Sequence, residues 1–359
     1  MREAGKMLWA VIIALLISCN IPGKATPTFE NCPGFPKSWE FAEFGDASGL
    51  SFLTLDDYDN PIVVRAYDED DKTYLEVIQQ VEDELTSSRI ELESEPAQIW
   101  ADHFGGTTHI VVSNAGDESA RIEYCATDGN DWGCESTGFK GEARVFVDSE
   151  GKPVILAMSS SKLRYLKRRK GEWRSMGTLE FSGPASDWTF SLHDGSLLVT
   201  IADNGCSLVW AEFDGSWSER DMKQQLCSPA FATIEFYGFP LIVGKAVANE
   251  ASSGYALKEV VDEWEVAELG PSIEELFATY APGCDRAYTI YRRNRNLRRR
   301  AIEITPYDIE AGEERGISLP DEYELREIIS VAQDSRGRPH MLLLVKDEEG
   351  ERLLLYAKP

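Results

Sequence analysis

An all-β fold is predicted by a motif that recurs seven times: a turn with Gly or Asp, a Pro or small residue, and then an apolar run. The copies read DDYDNPIVV, FGGTTHIVV, SEGKPVILA, HDGSLLVTI, FYGFPLIVG, PGCDRAYTI and SRGRPHMLL. Their spacing of roughly 46 residues is typical of one supersecondary unit copied along a chain. Each unit has room for four short β-runs, and the last unit lacks one run while the first residues supply one. We therefore expect a seven-bladed β-propeller of four-stranded antiparallel blades.

The first residues have the layout of an export signal. Arg2 and Lys6 give a positive start, and residues 7–17 form an apolar run shorter than the ~20 residues that span a bilayer. The run ends in Leu-Ile-Ser-Cys, which resembles the lipobox of bacterial lipoproteins. The resemblance implies a signal peptide over residues 1–18 and acyl chains on Cys19. A secretory signal with an incidental cysteine is the alternative.

Residues 19–33 are expected to form the lipidated N-terminus and a tether that contains Pro and Gly, and residues 34–359 the propeller. The lipoprotein resemblance implies an extracytoplasmic place in the bacterial cell envelope, with the membrane bound through the acyl chains on Cys19. Asn20 is not the residue associated with inner-membrane retention in such lipoproteins. The resemblance therefore favours the outer membrane.

The repeat units are expected to begin near Gly49, Ala97, Ala143, Ser186, Phe231, Leu276 and Leu325. In the third unit, β-runs over 143–147 and 153–158 flank a turn, and Pro153 stands at a strand start, where a missing N–H is tolerated. A Trp recurs at the start of the fourth run, as in Trp173 and Trp217, and is predicted to pack between blades.

The last unit contains only three β-runs before the chain ends. The missing strand is offered by residues 34–41, where a turn is followed by Trp39 and a β-run. Pairing the two ends would close the ring and remove its exposed sheet edges. This match of one missing and one spare strand favours seven blades over six or eight.

Six cysteines remain once Cys19 is assigned to lipid, an even number that suits an oxidising compartment. Strand phase predicts three disulfides, namely Cys125–Cys134, Cys206–Cys227 and Cys32–Cys284. No CxxC pair or His spacing typical of zinc is present, so no metal is expected. No cofactor is expected either.

The chain carries 62 acidic and 36 basic side chains, a net charge of -26. Such a surface repels phosphate backbones, which argues against a nucleic-acid partner. An acidic cluster from Asp56 to Asp71 raises a calcium hypothesis, but it lacks the regular ligand spacing of a calcium loop. A solvated acidic turn is the better interpretation.

Catalytic groups are sparse. The four histidines, His103, His109, His193 and His340, are spread over three units and form no triad, and no GxSxG motif is present. We expect no catalytic residue, and this favours a protein that is not an enzyme.

Two segments match part of the Asp-box motif of sialidases: Asp-Ser-Glu-Gly at 148–151 and Phe-Asp-Gly-Ser-Trp at 213–217. Over residues 39–359 the pattern resembles bacterial propellers with BNR or sialidase-like repeats. The resemblance implies an enzyme alternative, a sialidase-like or other glycan-processing hydrolase. Its nucleophile would be Tyr288 or Tyr291, with Glu303 as base. Strand alternation accounts for the same tyrosines without catalysis.

The most unusual local composition is basic, with seven arginines and no acid between Arg286 and Arg300. Arg292, Arg293 and Arg295 fall at the loop between the second and third strands of unit six, and guanidinium groups suit carboxylate, sulfate or phosphate. The alternative is that they balance neighbouring acids on a blade edge.

The sequence thus predicts a membrane-anchored extracytoplasmic binding or scaffolding protein. Its ligand would be a protein or an anionic glycan, held through Arg292, Arg293 and Arg295.

Overall fold

The computed structural model describes residues 36–47, 49–81, 84–93, 95–114, 121–193, 196–203, 206–234, 238–248, 251–260, 263–280 and 284–359. Over these residues the fold is all-β, with seven antiparallel sheets in a ring, as the repeat predicts. The signal peptide, Cys19, the tether and Cys32 lie outside the described residues. No helix among the described residues meets the length and hydropathy needed to cross a bilayer.

The strands follow one another blade by blade. The first strand, β1 (Glu40–Asp46), joins the last blade. Blades 1 to 3 contain β2 (Leu50–Leu55), β3 (Pro61–Glu69), β4 (Lys72–Val81), β5 (Glu84–Leu92), β6 (Pro96–Phe104), β7 (Thr107–Asn114), β8 (Arg121–Thr127), β9 (Trp132–Lys140), β10 (Glu142–Val147), β11 (Pro153–Ser159), β12 (Lys162–Arg169) and β13 (Glu172–Glu180). Blades 4 and 5 contain β14 (Ala185–His193), β15 (Ser196–Asp203), β16 (Ser207–Phe213), β17 (Trp217–Gln225), β18 (Ser228–Ile234), β19 (Pro240–Ala248), β20 (Ala251–Val260) and β21 (Glu263–Pro271).

Blades 6 and 7 contain β22 (Leu276–Tyr280), β23 (Arg286–Arg293), β24 (Asn296–Thr305), β25 (Asp308–Ala311), β26 (Arg315–Gly316), β27 (Glu324–Gln333), β28 (Pro339–Lys346) and β29 (Arg352–Lys358). Blade 6 is irregular because its outer strand is broken into β25 and β26, both of which pair with β24. The predicted unit starts agree with the strands to within three residues. The largest difference is in blade 5, where an irregular register lies between Pro229 and Phe231.

The two chain ends close the ring as predicted. Strand β1 pairs antiparallel with β29, from Glu40 opposite Lys358 to Asp46 opposite Leu353. The resulting sheet order is β1, β29, β28, β27. The N-terminal strand is therefore the outermost strand of blade 7 and covers the edge that β29 would otherwise expose.

The repeated turn motif has a common hydrogen-bond basis in blades 1, 3 and 7. Asp56, Asp148 and Asp334 each accept hydrogen bonds from the backbone N–H groups two and four residues later, at 2.7–3.0 Å. A proline then opens the second strand five residues after each aspartate, at 61, 153 and 339. The aspartate fixes the turn and the proline fits a position without a required N–H.

Apolar side chains fill the spaces between adjacent blades. One cluster joins blades 3 and 4 through Leu156, Leu163, Trp188 and Val199, all buried. The predicted interblade Trp is confirmed at Trp173, which is buried between blades 2 and 3.

Polar links also join the inner strands of neighbouring blades. The backbone N–H of Val147 donates to Asp102 Oδ2 at 2.7 Å, and that of Leu53 donates to Ser330 Oγ at 2.9 Å. Burial raises the pKa of Asp102 to about 6, although it accepts two backbone hydrogen bonds. These contacts fix the inner strand of blade 3 to that of blade 2, and the inner strand of blade 1 to that of blade 7.

Two predicted disulfides are confirmed. Cys125 and Cys134 face each other across β8 and β9, and Cys206 bonds Cys227 at the far end of the last hairpin of blade 4. Cys284 is also disulfide-bonded, and its predicted partner, Cys32, lies outside the described residues. Each confirmed bond joins the third strand of a blade to the fourth strand or its end.

Candidate functional site

The arginine-rich segment of blade 6 is more regular than a loop. Arg292 and Arg293 are the last residues of β23, and only Asn294 and Arg295 form the turn, both with positive φ. This tight turn belongs to the class of two-residue hairpin connections. We call Arg292, Arg293 and Arg295 the arginine hairpin.

Glutamates that precede β22 and follow β25 form ion pairs with the arginine hairpin. Arg292 makes a bidentate ion pair with Glu275, with both nitrogen–oxygen distances at 2.5–2.6 Å, and contacts Glu274 at 2.5 Å. The hydrogen bond to Glu275 is the main cause that raises the pKa of Arg292. Arg293 pairs with Glu314 at 2.5 Å. Arg295 is largely exposed, and its nearest carboxylate is Glu324 at 3.5 Å.

Two further arginines of this segment contact backbone. Arg299 donates to the carbonyl of Pro36 at 2.5 Å and Arg300 to that of Glu268 at 3.2 Å. The basic composition of blade 6 thus serves its own packing and charge balance to a large extent. An anion-binding role of the hairpin stays a prediction, and Arg295 is its most accessible member.

Two buried histidines occupy matching places in blades 2 and 7. His109 Nδ1 lies 2.6 Å from the hydroxyl of Tyr124, and His340 Nδ1 lies 2.5 Å from that of Tyr356. Burial lowers the pKa of His109 to about 4 and also lowers that of His340. Both imidazoles are therefore neutral partners of a tyrosine within a blade.

The remaining catalytic candidates lie in separate parts of the fold and contact other side chains. His103 contacts Thr108 at 3.0 Å, and its Nε2 lies 3.9 Å from Asp57. Tyr288 is buried, whereas Glu303 is half exposed and pairs with Arg286 at 3.3 Å. Glu303 is thus engaged by Arg286. The other candidate nucleophile, Tyr291, donates to Glu314 at 2.7 Å, and that carboxylate also pairs with Arg293.

The acidic turn of blade 1 is used for structure. Asp56 caps the turn, Asp57 accepts from the N–H of Gly106 at 3.3 Å, and Asp59 binds Ser335 of blade 7 through two hydrogen bonds. No group of three or more His, Cys, Asp or Glu suited to a metal ion occurs in the described part of the chain.

Aromatic side chains pack at the centre of the ring on the side of blades 2 to 4. The ring centroids of Trp100 and Phe190 are 5.9 Å apart although blade 3 lies between their blades. Phe52 of blade 1 contacts Trp100 at 4.6 Å. Side chains from three blades therefore meet near the axis, and this part of the channel is packed.

A buried arginine sits among these rings. The Arg144 guanidinium lies 4.7 Å from the Trp100 centroid and 4.0 Å from that of Trp188. Its Nη2 is 3.2 Å from Glu142 Oε1, which also accepts from Gln98 at 3.0 Å. Burial lowers the pKa of Arg144. Arg144 therefore joins blades 2, 3 and 4 through cation–π contacts and one ion pair.

A groove of 920 Å³ lies between blades 3 and 4, on the face that carries the turns after the first and third strands. The corresponding groove between blades 1 and 2 has 410 Å³. We call the larger one the blade 3–4 groove. Its lining combines apolar, acidic and basic side chains, including Phe104, Phe146, Asp148, Glu150, Tyr165, Lys167, Arg169, Met176, Leu192, Phe213 and Asp214.

A row of aromatic rings runs beneath this groove, and its central members Phe146, Tyr165 and Phe213 form the floor. From the centre outward, the successive centroid distances are 5.4 Å from Phe190 to Phe146, 6.5 Å to Tyr165, 4.4 Å to Phe213 and 5.0 Å to Trp217. Glycine at position 177 allows the outer end of this row to form. A Cβ there would lie 2.7 Å from the Phe213 ring and 3.1 Å from Trp217 Nε1.

Sequence reasoning did not identify the blade 3–4 groove. Its residues come from blades 2, 3 and 4 and lie far apart along the chain, so no local motif marks them. One signal was available: Phe146, Tyr165, Phe213 and Trp217 are all aromatic, whereas the matching interface of blades 5 and 6 contains mostly aliphatic residues.

The chain matches no family model and no curated protein. Solved structures share its fold. The polysaccharide lyase Uly1 is 12% identical with a TM-score of 0.57, covering 95% of this chain and 93% of the lyase. A chain of the mitotic checkpoint complex is 11% identical with a TM-score of 0.56, covering 94% and 96%. The Nup133 β-propeller domain of Vanderwaltozyma polyspora is 10% identical with a TM-score of 0.53, covering 90% and 98%.

At these identities the similarity shows the propeller fold and nothing finer. The neighbours include a polysaccharide lyase and a chain of the mitotic checkpoint complex, so the fold is compatible with very different roles.

Proposed function

We propose that this chain is an acyl-anchored, extracytoplasmic binding or scaffolding module whose ligand is a protein or an anionic glycan. The blade 3–4 groove is the observation that carries the proposal. Its volume lies within the range of about 300–1,000 Å³ typical of ligand sites. Its apolar floor and charged rim are the usual composition of such sites.

Three further observations support a binding role outside the cytoplasm. Two disulfides suit an oxidising compartment. The sequence around Cys19 resembles a lipobox. The centre of the ring is packed by aromatic side chains on the side of blades 2 to 4, which favours a ligand in an outer groove over one in that part of the channel.

Hydroxyl-radical footprinting on intact cells tests the binding role. In cells we expect a bound ligand to protect Phe104, Met176 and Leu192, relative to the purified chain. Tyr307, which is 77% exposed on another blade, should be oxidised equally in both samples. Equal oxidation of the groove residues in cells and in the purified chain would contradict a ligand in this groove.

The anchor and the enzyme alternative have separate tests. Metabolic labelling with an alkynyl fatty acid should mark the wild type and not Cys19→Ser, and the variant should leave the membrane fraction. A chain that stays unlabelled while remaining membrane-bound would contradict acyl anchoring.

Shortening of sulfated or uronate-containing polysaccharides by the purified chain would instead support the hydrolase alternative.

A further inference from the structure

Two large apolar side chains remain exposed at the blade 3–4 groove. Phe104 is 48% exposed and Leu192 is 45% exposed, and both line the groove. Phe104 packs over Gly151 on the blade 3 side, and Leu192 belongs to blade 4. Single exposed apolar residues are common on protein surfaces, but two beside one groove indicate an interaction site.

The aromatic floor does not offer a free ring face to a sugar. Tyr165 and Phe213 stack on each other at 4.4 Å, and both are buried. The ring of Phe104 is covered on one side by Gly151, because a Cβ there would lie 2.7 Å from the ring. Sugar rings bind best to open aromatic platforms, whereas an apolar side chain fits a recess between aromatic edges.

The charge of the groove and of the chain favours a cationic partner. Three carboxylates, Asp148, Glu150 and Asp214, and two cations, Lys167 and Arg169, line the groove. Lys167 already pairs with Asp148 at 2.7 Å. The net charge of -26 attracts a basic partner at long range and repels an anionic polymer.

We propose that the blade 3–4 groove receives a segment of a protein partner in which an apolar anchor side chain is flanked by basic residues. The anchor inserts between Phe104 and Leu192. The basic residues face the exposed carboxylate of Asp214 and compete with Lys152 for the exposed carboxylate of Glu150, which Lys152 contacts at 2.7 Å. This inference rests on the proposed binding role and selects a protein from the two ligand classes.

A phage-displayed random decapeptide library, panned against the full chain, tests this proposal. We expect the enriched peptides to share a Phe, Leu or Met next to at least two Lys or Arg. The double variant Phe104→Ser with Leu192→Ser should weaken binding of an enriched peptide by about tenfold or more, because anchor contacts dominate such interfaces. The remaining binding should fall as salt rises.

The double variant Leu85→Ser with Val266→Ser is the matched control. These residues are 50% and 51% exposed on outer strands of blades 1 and 5, so they lose similar apolar surface away from the groove. The control should bind the peptide like the wild type, and both double variants should show the thermal unfolding of the wild type.

Three results would overturn the proposal. The first is enrichment of peptides without the basic and apolar bias, and the second is equal binding of an enriched peptide by the groove variant and the control. The third is protection of Phe104 and Leu192 by an anionic oligosaccharide such as a heparin fragment, with no peptide competing. In that third case the groove still binds a ligand, so the proposed function stands and only the protein partner is wrong. If the footprint in cells shows no protection either, both fail.

Discussion

The arginine hairpin of blade 6 and the blade 3–4 groove are built in opposite ways. The hairpin is conspicuous in sequence, with its charges within a few residues of one another, yet two of its three arginines are paired at 2.5–2.6 Å with carboxylates from other segments. The groove has no local sequence signature, yet it leaves Phe104 and Leu192 about half exposed. What a surface can bind depends on the side chains that its tertiary neighbours leave free.

The physical reason for this difference is charge balance within a strongly acidic chain. A partly buried guanidinium needs a nearby carboxylate, and Glu274, Glu275 and Glu314 supply it from the segments on either side of β23 and β24. Aromatic rings have no comparable requirement. They need only packing, and Phe146, Tyr165 and Phe213 pack against one another while they line the groove.

The largest expected effect is on stability in the floor of the groove. Phe213→Ala removes a buried ring that contacts both Tyr165 and Trp217, so we expect a loss of about 3–5 kcal/mol in the free energy of unfolding. Arg295→Ala at the exposed hairpin should change it by less than about 0.5 kcal/mol. Urea unfolding measures both, and comparable losses would show that the two regions do not differ as described.

The ion pair of the hairpin has an intermediate effect. Arg292→Ala leaves Glu275 and Glu274 without their main cation, and we expect a loss of about 2 kcal/mol. Adding Glu275→Gln should recover part of that loss, because the uncompensated charge is removed. A double-mutant cycle in urea measures the coupling between the two residues. Zero coupling would mean that Arg292 is free to bind an external anion.

The smallest effect is a pH dependence at the rim of the groove. Burial would raise the pKa of Asp148, but hydrogen bonds from Lys167 and from the N–H groups of Lys152 and Glu150 outweigh it and lower the pKa. The folded state therefore gains stability from the Asp148 charge at neutral pH, and this gain is lost as pH falls below the ordinary value near 3.8.

Lys167→Met removes the charged partner of Asp148 and should cost about 1 kcal/mol at pH 7. The difference from the wild type should shrink as pH falls toward 3, because protonated Asp148 no longer gains from the cation. Chemical denaturation at a series of pH values measures it. A difference that stays constant with pH would contradict this role of the pair.

The sequence was sufficient for the architecture because the architecture is repetitive. Seven copies of a turn followed by an apolar run determined the blade number, and the spare strand near Trp39 determined the closure now seen between β1 and β29. Strand phase was also enough to pair Cys125 with Cys134 and Cys206 with Cys227. These features depend on the order of residues along the chain and on regular hydrogen bonding.

The candidate site could not be obtained in the same way. The side chains that contact Arg292 come from the segment before β22, and the lining of the groove comes from three blades. Such proximity depends on the twist and spacing of blades, which periodicity does not encode. The position of Arg144 between Trp100 and Trp188 was likewise absent from the sequence predictions, since each of the three belongs to a different blade.

The central claim is that the blade 3–4 groove, and not the arginine hairpin, is the principal binding surface. One measurement tests it most directly: a photo-crosslinking amino acid is placed at Leu192 or at Arg295 of the full chain in cells, and the two positions are irradiated side by side. Both side chains are exposed, so reactivity alone does not favour either position. We predict one discrete adduct from position 192 and none from position 295. An adduct from position 295 alone would contradict the account.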